Sequence, residues 1–132
     1  MEMDNTLDDS GKLVLRLALG IMILLHGIAK LTGGISGIEG MVTNAGLPAI
    51  LAYGVYIGEI LAPILVIIGL FSRIGAVIIA INMVFAIALA HAHEVFLLTS
   101  TGGWALELQG MFLFAAIALA LTGPGRFAIN RL

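Results

Sequence analysis

Cysteine is absent from the 132-residue chain, so on its own it can form no disulfide, thiolate nucleophile, iron–sulfur cluster or dithiol relay. Any redox role must borrow its cofactor. Charge is scarce too: 11% of residues are charged and 61% are hydrophobic, where soluble proteins are about a quarter charged and about half apolar. Such a chain belongs in a lipid bilayer. The six basic residues are scattered and the net charge is -2, which sets nucleic-acid binding aside. A basic leader with a cleavage site of small residues is also lacking. The start, MEMDNTLDDSGK, is acidic and leads straight into a segment of spanning length, so no secretory signal is expected.

What is present is a series of apolar segments, predicting an all-α, integral membrane four-helix bundle with helices at about 13–31, 49–71, 74–92 and 104–122. Residues 1–12 read as a solvated lead-in, with Asp9 or Ser10 as helix cap, and residues 123–132 as a tail. The turn Ser72-Arg73 is so short that the second and third helices must be antiparallel neighbours. Residues 32–48 are glycine-rich and too polar to span, and the helical spacing of Ile35, Ile38, Met41 and Val42 suggests a short amphipathic piece.

The second segment carries the chief anomaly, Glu59, near its middle. An ionised carboxylate in hydrocarbon costs about 3 kcal/mol even on lenient scales. Glu59 must therefore be neutral, paired or turned to a polar cavity. Pro63, four residues on, has no amide hydrogen and frees the Glu59 carbonyl at the same depth. In the first helix His26 and Lys30 share a face, and Gly20 and Gly27 offer small surfaces for close helix approach. Asn82 lies mid-helix in the third segment, with His93 eleven residues later on almost the same face. His91 and His93 point about 200° apart on a helix, so unless the helix has ended they cannot share an ion, and no metal site is expected. In the fourth helix Trp104 suits the membrane interface, and Glu107 shares a face with Gly110, Met111 and Phe114.

Four spans put both termini on one side with Lys12, Arg16, Arg73, Arg126 and Arg131, against Lys30 on the other. By the positive-inside rule the termini are expected in the cytoplasm. The acids and histidines then gather in the outer half, which predicts a polar funnel opening outward and closing near Glu59.

The strings Arg16-Leu-Ala-Leu-Gly20, His26-Gly-Ile-Ala-Lys30, Gly58-Glu59, Gly69-Leu-Phe-Ser-Arg73, Gly102-Gly103-Trp104 and Gly123-Pro-Gly-Arg126-Phe127 occur in this order. In them the chain resembles the DoxX family of small four-span bacterial membrane proteins over about residues 13–130. The resemblance implies a multi-pass protein of the bacterial cytoplasmic (inner) membrane, in a group named after a subunit of a thiosulfate:quinone oxidoreductase. It matches the family's polar positions at His26, Lys30 and Glu59. Glu107 follows the glycine pair later than the family's acid does, and Ala128 and Asn130 stand where a serine and an aspartate are usual.

On these grounds the expected function is a membrane redox subunit holding a quinone, with Glu59 and His26 exchanging protons and Lys30, Asn82, His93 and Glu107 binding the cofactor. A partner protein or bound substrate would have to supply electrons. Two other classes stand beside it: a small proton-coupled transporter or channel centred on Glu59 and Pro63, and a scaffold anchoring a soluble redox partner. Haem ligation by His26 and His93 is a further option. The small-residue run Gly54-x3-Gly58-x3-Ala62 could pack within one bundle or between two copies in a homo-oligomer.

Overall fold

The structure, a computed structural model, describes residues 2–132, with side chains from Asn5 onward. Met1, the first residue of the expected lead-in, lies outside the described residues. Helix α1 spans Glu2–Gly33 and a short α2 spans Ser36–Asn44. Then come α3 at Ala49–Ile68, α4 at Ser72–Ala90 and α5 at Glu107–Thr122. Three of these, α1, α3 and α4, are long and apolar enough to cross a membrane, and α5 is a shorter apolar helix.

Each long helix packs on its neighbour in the chain, α1 on α3, α3 on α4 and α4 on α5, while α5 returns to α1. The main core lies at the centre of this ring and includes Leu19, Ile23, Val66, Ile79, Ala116 and Leu119. A smaller cluster of Ile35, Val42 and Ala52 sits under α2. The apolar side chains left exposed, such as Ile21, Leu25, Ile74, Val84 and Phe114, face outward as a lipid-facing surface requires.

Several boundaries differ from the sequence expectation. The lead-in is helical from Glu2, with no proline to interrupt it. Asp9 pairs with Arg126 at 3.8 Å instead of capping the helix. Helix α3 stops at Ile68, short of Phe71, because Gly69 turns left-handed at φ 75 and the amides of Gly69 and Leu70 both donate to the Leu65 carbonyl. Helix α4 accordingly begins at Ser72 and ends at Ala90, two residues before the expected end. Helix α5 starts at Glu107 rather than Trp104. Trp104 serves the preceding loop: its backbone bridges Leu98 and its indole Nε1 donates to the Val95 carbonyl at 2.7 Å.

At the end of the bundle that carries the termini, Arg16 is 1% exposed. It donates to the carbonyls of Val66 (2.9 Å), Ile67 (2.9 Å), Pro124 (3.2 Å) and Phe127 (2.7 Å). One guanidinium thus ties α1 to the last turn of α3 and to the tail. Arg73 does the same for α5, donating to Ala120 and Leu121 at 3.1 and 3.2 Å, where cations favour a helix C-terminus. Asn130 Oδ1 accepts from the Phe71 and Leu132 amides, holding the turn between α3 and α4 in which Phe71 adopts φ 49.

Candidate functional site

The opposite end of the bundle, which carries the loops, is built differently. Helix α3 is not regular there: a 3₁₀ turn at Ala49–Tyr53 passes through Gly54–Tyr56 into a π turn at Ile57–Leu61 and resumes as an α-helix at Ala62–Ile68. Pro63 explains the break. It cannot donate to the Glu59 carbonyl, and the amide of Ala62 bonds back to Ile57, five residues earlier. The π turn carries Glu59 and widens the helix toward its neighbours.

Two glycines make room for it. A Cβ on Gly27 would stand 2.1 Å from the Glu59 carbonyl oxygen, and one on Gly58 would stand 2.6 Å from Asn82 Cβ. Helix α1 therefore meets α3 backbone to backbone at the level of Glu59, and α4 lays Asn82 across Gly58. Gly20 continues the α1 contact, since its Cβ would meet Ile67 and the Pro63 carbonyl. Within the small-residue run of α3, Gly58 and the fully buried Ala62 are thus occupied inside the chain.

Glu59 is 4% exposed. Its Oε1 is ion-paired with Lys30 Nζ, and its Oε2 accepts from Asn82 Nδ2 at 3.0 Å. Both carboxylate oxygens therefore have donors, which offsets the cost of burial. Tyr56, one turn earlier on α3, donates its hydroxyl to the Lys30 carbonyl at 3.4 Å. The Lys30 side chain remains 29% exposed, so its ammonium can reach a second partner.

Beside this cluster lies a cavity of about 390 Å³ between α2, α3 and α4. Lys30, Glu59 and Asn82 form its polar end, and Met41, Val42, Leu51, Ile81, Phe85 and Leu89 are among the apolar residues of its walls. Leu51, Ile81 and Phe85 are each about half exposed on the outer surface of their helices. The mouth of the cavity therefore faces sideways, where lipid would lie. Helix α2 covers it through Ile38, Met41 and Val42. Such a slot can hold a flat or tapered apolar molecule with its oxygen atoms against two donors and a carboxylate.

Of the residues singled out in the sequence, the structure brings Lys30, Glu59 and Asn82 into direct contact. His26 lines a second, smaller hollow on the other side of the Lys30–Glu59 pair, with its ring edge-on to Phe112 at 5.8 Å. His93 lies beyond the end of α4 with its side chain 74% exposed. Glu107 opens α5 exposed to solvent and folds over Gly103. Neither His93 nor Glu107 borders the cavity. The broad polar funnel thus resolves into a largely apolar slot with a compact polar end and a separate cluster in the loop after α4. That helix has ended by His91, so His91 and His93 both approach Glu94 Oε1, at 3.3 and 3.4 Å. Among the described residues no three metal-ligating side chains gather as a metal site.

Sequence reasoning passed over Tyr56 and Gln109. Tyr56 stands three residues before Glu59, a spacing that shares its face. Gln109 is an uncharged amide in an apolar helix, overshadowed by Glu107 two residues earlier.

These features define a class: an all-helical, multi-pass membrane protein with a buried ion pair at the polar end of an apolar cavity. A match to the family described as DoxX covers residues 11–92, and the chain belongs to that family. The matched stretch holds His26, Lys30, Glu59 and Asn82 and stops before Gln109. The chain is 31% identical over 123 residues to "Putative oxidoreductase CatD" of Bacillus subtilis (strain 168), covering 91% of this chain and 84% of that protein. It is 30% identical over 119 residues to an uncharacterized protein of Haemophilus influenzae, covering 88% of this chain and 85% of that one. No solved structure matches.

Proposed function

We propose that this DoxX-family protein is the membrane subunit of a quinone-linked oxidoreductase in the bacterial cytoplasmic membrane, with four spans and cytoplasmic termini. The observation that carries the reading is the cavity beside Glu59, apolar along its walls, polar at one end and open sideways. A quinone needs those features: a hydrocarbon path for its tail, donors for its carbonyl oxygens and an acid group to exchange protons. Lys30 and Asn82 are the donors and Glu59 the exchanging acid. Reduction of the ring consumes two electrons and two protons. The electrons come from a redox partner protein, since a cysteine-free chain can build no iron–sulfur or dithiol centre on its own. The oxidoreductase name of the Bacillus subtilis relative supports this reading. The orientation rests on Lys12, Arg126 and Arg131 at the terminal end.

Solvent extraction of the purified protein is expected to release a bound quinone. Menadione, a lipophilic naphthoquinone, is expected to bind the emptied protein and to lose at least about tenfold in affinity on Glu59→Gln, with helix content unchanged by circular dichroism. Equal affinity for the two proteins would remove Glu59 from the site and with it the quinone reading.

The π turn at Ile57–Leu61 beside Pro63 favours a second reading, a proton-coupled transporter that uses the irregular turn as its gate. Solute flux into proteoliposomes without any electron donor would put that reading first. If Glu59→Gln leaves every partner-dependent activity intact, a scaffold role takes precedence over both.

A further inference from the structure

Lys30 and Glu59 border two hollows. Opposite the large slot is a space of about 100 Å³ between α1, α3, α4 and α5, whose polar lining consists of His26, Lys30, Glu59 and Gln109. That is room for several waters, with those four side chains as partners. Gln109 leads outward. Its Nε2 is 3.4 Å from His91 Nε2, His91 Nδ1 is 3.3 Å from Glu94 Oε1, and the same oxygen is 3.4 Å from His93 Nε2. A line of polar groups therefore runs from an imidazole that is 74% exposed to Gln109 at the edge of the hollow, and waters filling the hollow would carry it on to a carboxylate that is 4% exposed.

We infer that this line is the proton path of the site: the large slot admits the ligand from the lipid side, and the small hollow connects Glu59 to water through Gln109, His91, Glu94 and His93. The inference rests on the ligand reading only for the destination of the proton. In the inward step a proton from bulk water protonates an imidazole of the loop cluster. The His91 imidazolium N–H then breaks as an O–H forms on a water that the Gln109 amide holds between His91 and the hollow. The waters of the hollow, which His91 itself does not border, pass a proton on to a Glu59 oxygen. No electrons move, and each carrier returns to its starting state. Gln109 cannot hold the proton itself. It is a positioning residue, joining His91 to the waters.

Protonated Glu59 no longer neutralises Lys30, which frees the ammonium for an oxygen of a ligand in the slot. The groups facing Glu59 are Lys30 and His26 from α1, Asn82 from α4 and Gln109 from α5. On its own helix the Tyr56 hydroxyl is engaged by the Lys30 carbonyl. Glu107 folds over Gly103 and stands outside the line.

The test is a rapid pH jump on the full chain in phosphatidylethanolamine–phosphatidylglycerol vesicles, followed by infrared absorption of the carboxylic C=O band that Glu59→Gln abolishes. Gln109→Leu is expected to slow the appearance of that band at least tenfold while leaving its final amplitude unchanged, an effect that a purely structural role for Gln109 would not produce. His91→Ala, at the helix end and outside the core, is expected to slow it in the same direction and provides the measurement if Gln109→Leu does not fold. Unchanged rates in the folded variants would overturn the path, and so would the absence of a Glu59 C=O band at every pH. Menadione binding in the same vesicles separates the two readings. Failure of the unmodified protein to bind it sinks the ligand assignment, whereas the jump kinetics judge the path alone.

Discussion

Arg16 and Glu59 are both buried charges in apolar helices, and the bundle treats them in opposite ways. Arg16 is surrounded by backbone: four carbonyls from α3 and the tail take its donors. Glu59 is held by two side chains and flanked by space on both sides. A charge bonded wholly to main chain cannot change partners without undoing the fold. A charge bonded to a partly exposed lysine and an amide can. Burial of an ionisable group in a membrane bundle is therefore a poor guide to function until its partners are known; backbone partners point to architecture, and side-chain partners beside a cavity point to chemistry.

The largest effect is expected where this contrast is sharpest. Arg16→Met should leave the carbonyls of Val66, Ile67, Pro124 and Phe127 without their donor and, at about 1–3 kcal/mol for each buried acceptor left unsatisfied, destabilise the protein several times as much as an ordinary surface substitution does. Thermal unfolding in detergent should show this as a large fall in midpoint or loss of folded protein. Glu59→Gln keeps the side chain's volume and an oxygen for Asn82, and leaves a Lys30 that is 29% exposed free to turn to water, so it should lower the midpoint less than Arg16→Met does while weakening menadione binding. If the two substitutions cost similar stability, the division between the two ends is wrong.

The glycines sharpen the comparison one step further. At Gly27 an added methyl meets the Glu59 carbonyl and its carbon at 2.1 and 2.7 Å, so α1 and α3 must part, and Gly27→Ala should cost about 1–3 kcal/mol while pulling Lys30 from Glu59. At Gly58 the obstacle is Asn82 from its Cβ outward, at 2.6 Å, and no rotation about χ1 moves a Cβ, so α4 must shift as well. Gly58→Ala should likewise cost about 1–3 kcal/mol while taking the Asn82 amide from Oε2 of Glu59. Menadione affinity and unfolding midpoint measured on both variants compare the loss of the Lys30 contact with the loss of the Asn82 contact at the same level of the bundle.

The apolar segments, the anomaly at Glu59 and the weakness at Pro63 were all legible in the sequence, because each breaks or obeys a pattern that one helix shows by itself. The role of Arg16 was not. Its partners are main-chain carbonyls of residues 50 to 111 positions away, and no side-chain pattern marks a carbonyl. Grouping His91, His93, Glu94 and Glu107 with Glu59 came from treating depth alone as proximity. The helix end at Ala90 puts His91, His93 and Glu94 in a loop cluster instead, and the late start of α5 leaves Glu107 apart from them, over Gly103. The π turn was half visible: the missing amide of Pro63 foretold a freed carbonyl, but the shift to a five-residue repeat at Ile57–Leu61 is a choice of backbone partner that no side-chain pattern marks. Asn130 offers an amide oxygen to two backbone amides, so this chain closes the turn after α3 through neutral hydrogen bonds.

The smallest effect belongs to a charged contact at the terminal end that lacks the burial of Arg16. Arg126 Nε sits 3.8 Å from Asp9 Oδ2 with its side chain 45% exposed, and its guanidinium lies 4.9 Å from the Phe127 ring centroid. Both interactions are screened by solvent, and together they should contribute no more than about 1 kcal/mol. Arg126→Ala should therefore lower the unfolding midpoint slightly, less so in high salt, and leave menadione affinity unchanged. A loss comparable to that of Arg16→Met would mean that the pairing of the first helix with the tail, rather than the bonding of one guanidinium to main chain, holds this end together, and the contrast between the two ends would have to be redrawn around the tail.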